Sequence, residues 1–107
     1  MELTVEERKI LSEVAQTLRD RFGAVEVILY GSAARGELDE ESDIDLVVVL
    51  PTIDWPTRRE IIAVCFDAEL RCGRVISAIC YTTDEIEHSP LRSSPLVVTA
   101  RQEGQTL

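Results

Sequence analysis

The chain has 107 residues, 45% of them hydrophobic, which is enough apolar material for one core of moderate size and too little for two independent domains. Its formal net charge is −9, with 20 acidic side chains against 11 basic ones, so most of its surface should repel nucleic-acid phosphates. The charged N-terminus lacks an apolar signal segment, and no stretch approaches the roughly 20 apolar residues of a membrane helix. These features predict a cytoplasmic protein, consisting of a single domain over residues 1–107, that does not bind membranes.

The first half of the sequence predicts a helix followed by two strands. A capping-box pattern at residues 4–7 precedes apolar residues at helical spacing, and Gly23 is a suitable stop. Residues 25–30 are rich in β-branched and aromatic side chains, which predicts a strand that runs into a turn and a short helix at residues 31–36. Residues 43–50 form a nearly continuous apolar run, which predicts a central strand covered on both faces.

The second half predicts another helix, a third strand and two short helices. Either Asp54 or Thr57 can cap a helix that ends at Gly73, with an apolar stripe that includes Ile62 and Leu70. Residues 74–81 then predict a strand, residues 82–90 a short helix, and residues 94–102 a last helix. The order α-β-α-β-α-β-α-α predicts a small mixed sheet with helices packed against it, an α/β or α+β fold.

The chain contains three cysteines. Cys65, Cys72 and Cys80 are odd in number and match neither a C-x-x-C pair nor a zinc-binding spacing. We therefore expect small, buried hydrophobic residues and no redox or metal site at these positions.

The turn after the first strand has the character of a phosphate-binding loop. Gly31 lets the backbone approach a ligand closely, the following residues can offer free N–H groups, and the Ser32 hydroxyl can reach a terminal phosphate. The turn is not a Walker A loop, because Glu37 and Leu38 stand where that motif needs Lys and Ser or Thr.

Two aspartates begin the second strand. Asp43 and Asp45 are two residues apart, so their side chains should point to the same face of the strand. Convergent carboxylates repel each other unless a cation lies between them, and Mg²⁺ is typically bound by one or two carboxylates together with substrate phosphates. The pair therefore predicts a metal site close to the phosphate-binding turn.

Taken together, these motifs resemble the minimal nucleotidyltransferases of the DNA polymerase β-like superfamily. The resemblance rests on Gly31-Ser32-x-Ala34-Arg35-Gly36 followed by Ser42-Asp43-x-Asp45-Leu46. It implies a nucleotidyltransferase-like fold, a nucleoside triphosphate held at Gly31, Ser32, Arg35 and Gly36, and Mg²⁺ or Mn²⁺ held by Asp43 and Asp45. For Arg35, a salt bridge that steadies the loop is an equal alternative to phosphate contact.

One position departs from the pattern of active relatives. They usually carry a third carboxylate in the next strand, and here Ser77 stands at that position. A serine is no base at neutral pH and gives a metal no negative charge. Two hypotheses therefore remain open: a nucleotidyltransferase, and a nucleotide- or partner-binding module with little or no catalysis.

The resemblance also implies a partner and a reaction. Small members of the family are commonly paired with a helical HEPN-domain protein, often as the antitoxin of a HEPN toxin. The implied reaction is the transfer of a nucleoside monophosphate, AMP in the first instance, from ATP or another triphosphate to a hydroxyl of that partner. A homodimer is left open, and a nucleic-acid adaptor is the weakest alternative because of the acidic charge.

Overall fold

A four-stranded mixed sheet forms the framework of the protein. The structure, a computed structural model, describes residues 1–107. The strands are β1 (Glu26–Tyr30), β2 (Ile44–Leu50), β3 (Ile76–Thr82) and β4 (Gln105–Thr106), in the order β3-β2-β1-β4 across the sheet. β1 is antiparallel to both β2 and β4, whereas β2 and β3 are parallel. The predicted mixed sheet with packed helices is confirmed.

Five α-helices connect and cover the strands. They are α1 (Val5–Phe22), α2 (Gly31–Arg35), α3 (Trp55–Cys72), α4 (Thr83–His88) and α5 (Pro95–Glu103), with a 3-10 helix at Pro90–Ser93 between the last two. The capping box of Thr4 and Glu7 and the left-handed glycine at the end of α1 are as predicted. None of these helices is both long and apolar enough to cross a membrane.

The start of α3 differs from one of the two predicted caps. Asp54 is the N-cap, and its Oδ1 accepts a hydrogen bond from the Thr57 N–H at 2.8 Å. The alternative cap at Thr57 is wrong, because Pro56 already fits the first turn of the helix and Asp54 is placed to satisfy its free N–H groups.

Side chains along β2 point alternately to the two faces of the sheet, and each face has its own part of the core. Ile44, Leu46 and Val48 are fully buried against α1 and α3, whereas Val47 and Val49 pack beneath α4 and α5. Burial of each such aliphatic side chain contributes about 1.5–3 kcal/mol, so β2 is held firmly from both sides. The prediction of a central strand covered on both faces is confirmed.

Part of the predicted stripe on α3 is not in the core. Ile61 and Cys65 are buried, but Ile62 is 60% exposed and Leu70 is 71% exposed. The helix packs against α1 and the edge strand β3 through the face that carries Ile61, Cys65 and Ala68, so the rest of its apolar stripe stays outside the core.

The three cysteines are free. Cys65 is buried as predicted, and burial raises the pKa of its thiol to about 11. Cys72 and Cys80 are only partly buried, so the prediction of buried side chains is wrong for these two.

The C-terminus holds a strand that the sequence does not predict. After α5, β4 pairs with β1 at Ile28 and Leu29, and the Leu107 N–H donates to the Val27 carbonyl at 2.9 Å. Two residues carry too little periodicity to be recognised as a strand. Gly104 makes this return possible, because a Cβ at that position would lie 2.5 Å from the Ile28 side chain.

Candidate functional site

Three polar side chains lie in one row across the sheet. In the antiparallel pair Tyr30 is opposite Asp45, and in the parallel pair Asp45 is opposite Ser77. Adjacent strands are about 4.8 Å apart, so the three side chains are direct neighbours. They continue the sheet face that contains Val47 and Val49, at the end where β1 leaves the sheet. This row is the centre of the candidate site.

The carboxylate of Asp45 lies against the turn that begins at Gly31. A Cβ built on Gly31 would be only 2.8 Å from Asp45 Oδ2, and Gly31 has φ +71°, a left-handed conformation that favours glycine. The glycine therefore has two functions: it allows the backbone to turn from β1 into α2, and it leaves room for the carboxylate. The structure thus brings Gly31 and Asp45 together.

The two aspartates carry like charges that no protein cation compensates. Neither the Asp43 nor the Asp45 side chain takes part in a hydrogen bond or an ion pair with another residue. Burial raises the pKa of Asp45, and the neighbouring charge of Asp43 raises it further. Two uncommitted carboxylates that repel each other are a donor set that fits a divalent cation.

The turn itself leaves several hydrogen-bond donors without a partner in the protein. Tyr30 is the N-cap residue of α2 and supplies no side-chain hydrogen bond to the first N–H groups of the helix. The Ser32 hydroxyl has no hydrogen-bond partner in the protein, although Ser32 is partly buried. These main-chain N–H groups and the hydroxyl are the donors that a phosphate requires.

Arg35 and Gly36 are engaged within the protein. Arg35 Nε donates to Glu37 Oε2 at 2.9 Å in an exposed ion pair, which agrees with the loop-stabilising alternative for this residue. Gly36 ends α2 in a left-handed conformation, and a Cβ there would lie 3.2 Å from the Glu2 side chain. In this structure neither Arg35 nor Gly36 makes a direct contact with Asp43 or Asp45.

An almost buried arginine holds the loop that leads to the aspartates. Arg74 Nε donates to Glu7 Oε2 at 2.6 Å, and its Nη1 donates to the carbonyls of Asp39 and Ser42 at 2.8 and 2.9 Å. Burial by itself raises the pKa of Glu7, but hydrogen bonds from the Thr4 backbone and from Arg74 outweigh it and lower that pKa overall. One side chain therefore ties the start of α1 to the loop that ends at Asp43.

Three residues of the site are not found by sequence reasoning. Tyr30 ends a strand, and its pattern predicts no more than that; burial raises its pKa, and so does the charge of Asp45. Arg74 is predicted only as the first residue of a strand. Gln105 Nε2 donates to the Ala34 carbonyl at 2.9 Å, which ties β4 to α2. The strand register could have indicated Tyr30, but only the fold reveals the other two contacts.

No third carboxylate joins the pair. Ser77, the neighbour of Asp45 in the sheet, is exposed, and the protein contains no group of three or more His, Cys, Asp or Glu side chains arranged to hold a metal ion. Of the acids that lie near Ser77 in the sequence, Glu69 is already engaged, since its Oε1 accepts from the Ile76 N–H at 2.9 Å. His88 lies exposed at the end of α4, and Trp55 is 67% exposed at the start of α3.

The sequence matches a known family model over most of its length. The family model of the nucleotidyltransferase domain matches residues 11–94. The protein adenylyltransferase MntA of Thermococcus cleftensis is 47% identical over 43% of this chain and 48% of its own length, so this match spans about half of that relative. A candidate protein adenylyltransferase of Methanocaldococcus jannaschii is 36% identical over 76% of this chain and 78% of its own length.

Solved structures share the fold over nearly the whole chain. A candidate minimal nucleotidyltransferase superposes with a TM-score of 0.63 at 25% identity and covers 96% of this chain and 97% of its own. A toxin–antitoxin crystal structure with AMP-PNP gives a TM-score of 0.60 at 23% identity, over 95% of this chain and 72% of that one, which is a likeness of fold alone. With the family model matching most of its residues, the chain belongs to the nucleotidyltransferase domain family.

Proposed function

We propose that the protein binds a nucleoside triphosphate with Mg²⁺ or Mn²⁺ and transfers AMP to a hydroxyl group of a partner protein. The observation that supports the proposal is the close approach of Asp45 to Gly31, because it brings a carboxylate that could hold a metal ion next to a turn whose N–H groups have no side-chain cap. ATP is the triphosphate we expect, and the names of the two adenylyltransferase relatives support this choice.

Each side chain of the site has a role in this proposal. Gly31 and Ser32 would hold the β- and γ-phosphates through main-chain N–H groups and a hydroxyl, with Arg35 and Gly36 shaping the turn around them. Asp43 and Asp45 would hold the metal ion, whose charge neutralises the phosphate oxygens. The acceptor oxygen forms a bond to the α-phosphorus, the bond to the bridging oxygen breaks, and pyrophosphate leaves with that electron pair. The acceptor proton passes to water, because Ser77 cannot accept it.

The acceptor is a second protein in this proposal. The net charge of −9 disfavours nucleic acid as the acceptor. The family resemblance points to a helical HEPN-type partner and to an antitoxin role, and one structure that shares the fold was solved as a toxin–antitoxin complex.

A second candidate function rests on Ser77. Because this side chain adds no charge beside Asp45, the site could bind ATP and its partner without measurable transfer. In that case the protein is a binding module, and ATP would stabilise the complex without being consumed.

Two measurements on the same variants separate the candidates. The first is the thermal shift with ATP and Mg²⁺; the second is the mass of a HEPN-type partner encoded beside this chain after incubation with both. Transfer predicts a gain of one AMP on the partner that disappears in Asp45→Asn, whereas Asp67→Asn, on the exposed face of α3, is the matched control and should behave as the wild type. A thermal shift without AMP gain favours the binding module. Absence of both in the wild type contradicts the proposal.

A further inference from the structure

The outer edge of β3 is open in its middle and closed at both ends. The Val75 carbonyl accepts from the Ile44 N–H, so the odd-numbered residues of β3 direct their main-chain groups toward β2. By alternation, residues 76, 78, 80 and 82 direct theirs outward. Glu69 Oε1 accepts from the Ile76 N–H at 2.9 Å, and Glu85 Oε1 accepts from the Thr82 N–H at 3.0 Å. Ala78 and Cys80 are left with unpaired outer N–H and carbonyl groups.

The open part of the edge borders an apolar groove. The groove lies between β3 and α3, measures about 360 Å³, and is lined mostly by hydrophobic side chains. Two of them, Ile62 and Phe66, are 60% and 57% exposed, and lie one turn apart on α3. β3 itself contains no charged residue and no proline, the usual protections of an edge strand. The edge thus offers main-chain pairing and side-chain pockets side by side.

The charges around the open edge of β3 indicate which kind of segment can bind there. Glu69 and Glu85 stand at the two ends of the open edge, Arg58 is the cation that lines the groove, and the chain carries −9 overall. A second copy is disfavoured, because antiparallel pairing of Ala78 with Cys80 of the copy would bring Glu69 of one chain onto Glu85 of the other. A short extended segment with a basic residue at the Glu69 end meets no such repulsion.

We propose that the open edge of β3 and its groove bind a short extended segment of another protein, apolar at alternate positions and basic at one end. The segment adds a strand to the sheet through Ala78 and Cys80, and its apolar side chains enter the groove beside Ile62 and Phe66. Ser77 also borders the groove, although its side chain points to the other face of the sheet together with Asp45. This inference goes beyond the proposed function, and its test needs no catalysis.

The test uses synthetic peptides and the amide signals of the full chain. The probe is acetyl-Lys-Lys-Val-Thr-Val-Thr-Val-amide, compared with the same peptide bearing Glu-Glu in place of Lys-Lys and with a version whose alternate main-chain nitrogens are methylated. We expect the basic peptide to shift and protect the amides of Ala78 and Cys80, and the other two to bind about tenfold more weakly or not at all.

Variants of the protein complete the test. Phe66→Ser removes a groove wall and Ala78→Pro removes an outward N–H, so each should weaken binding by about tenfold. Val25→Ser, a position 56% exposed outside the groove, is the matched control and should bind as the wild type. All three should keep the thermal shift with ATP and Mg²⁺, which separates loss of docking from failure of the nucleotide site. Equal binding of the acidic peptide, shifts confined to other residues, or a dimer that protects the same amides would overturn the inference.

Discussion

Replacing Gly31 by alanine tests the contact on which the candidate site depends. The new Cβ would meet Asp45 Oδ2 at 2.8 Å, closer than ordinary contact, and the residue would keep a left-handed φ of +71°. Gly73 is a matched control, because it has φ +75° and nothing within 4 Å of its Cβ position. Gly73→Ala therefore bears the backbone strain alone, about 1 kcal/mol.

We expect Gly31→Ala to bear this strain and to displace the Asp45 carboxylate as well. Rotation of a side-chain end is inexpensive, so the additional loss of folding free energy should be about 1 kcal/mol. The effect on ligand binding should be larger, since the carboxylate leaves the position next to the turn. Gly31→Ala should lose most of the thermal shift with ATP and Mg²⁺, whereas Gly73→Ala should retain it.

A double-mutant cycle isolates the contact. Urea unfolding of Gly31→Ala in the Asp45→Ala background should show only the strain seen in Gly73→Ala, because the clashing oxygen is gone. If Gly31→Ala and Gly73→Ala lose equal stability and equal nucleotide binding in the wild-type background, the contact has no functional role and the reasoning is refuted.

Three further sets of substitutions test other contacts of the site and the fold. Ser77→Asp should place a carboxylate beside Asp45, strengthen Mg²⁺ binding, and raise AMP transfer by about tenfold or more; an unchanged rate in a partner-labelling assay would count against Ser77 as the position of the third acid. Arg74→Met should cost about 2–3 kcal/mol in urea unfolding. The pKa of Glu7 in the folded protein lies below its ordinary value, so the stability that Glu7 contributes is present above the ordinary pKa and is lost as the pH falls through the lowered one. Glu7→Gln should therefore reduce the loss of unfolding free energy at acid pH. An unchanged pH dependence in this variant would be evidence against the contribution of Glu7. Gly104→Ala should cost about 2 kcal/mol in thermal unfolding, because its Cβ would overlap Ile28 and two carbonyls, and full stability would contradict the tight return of the chain into β4.

Local patterns were sufficient for most of the fold. Caps and breakers fixed the ends of α1, and the apolar run of β2 indicated a central strand, because such features depend on residues close in the chain. The turn at Gly31 and the aspartate pair were likewise picked out as a candidate site from spacing and from the family resemblance. Their proposed roles remain predictions.

The sequence by itself therefore determined the helices, three of the strands, the residue types of the site and the absence of an acid at position 77. The tertiary structure decided which residues are in contact. Asp45 lies against Gly31, Arg74 binds Glu7 and the loop that leads to Asp43, and Gln105 binds α2. It also decided that Ile62 and Phe66 face outward beside an open strand edge. The reason is physical, since periodicity reports which face of an element is apolar, whereas contacts between residues distant in the chain depend on strand order, register and the side at which each helix packs.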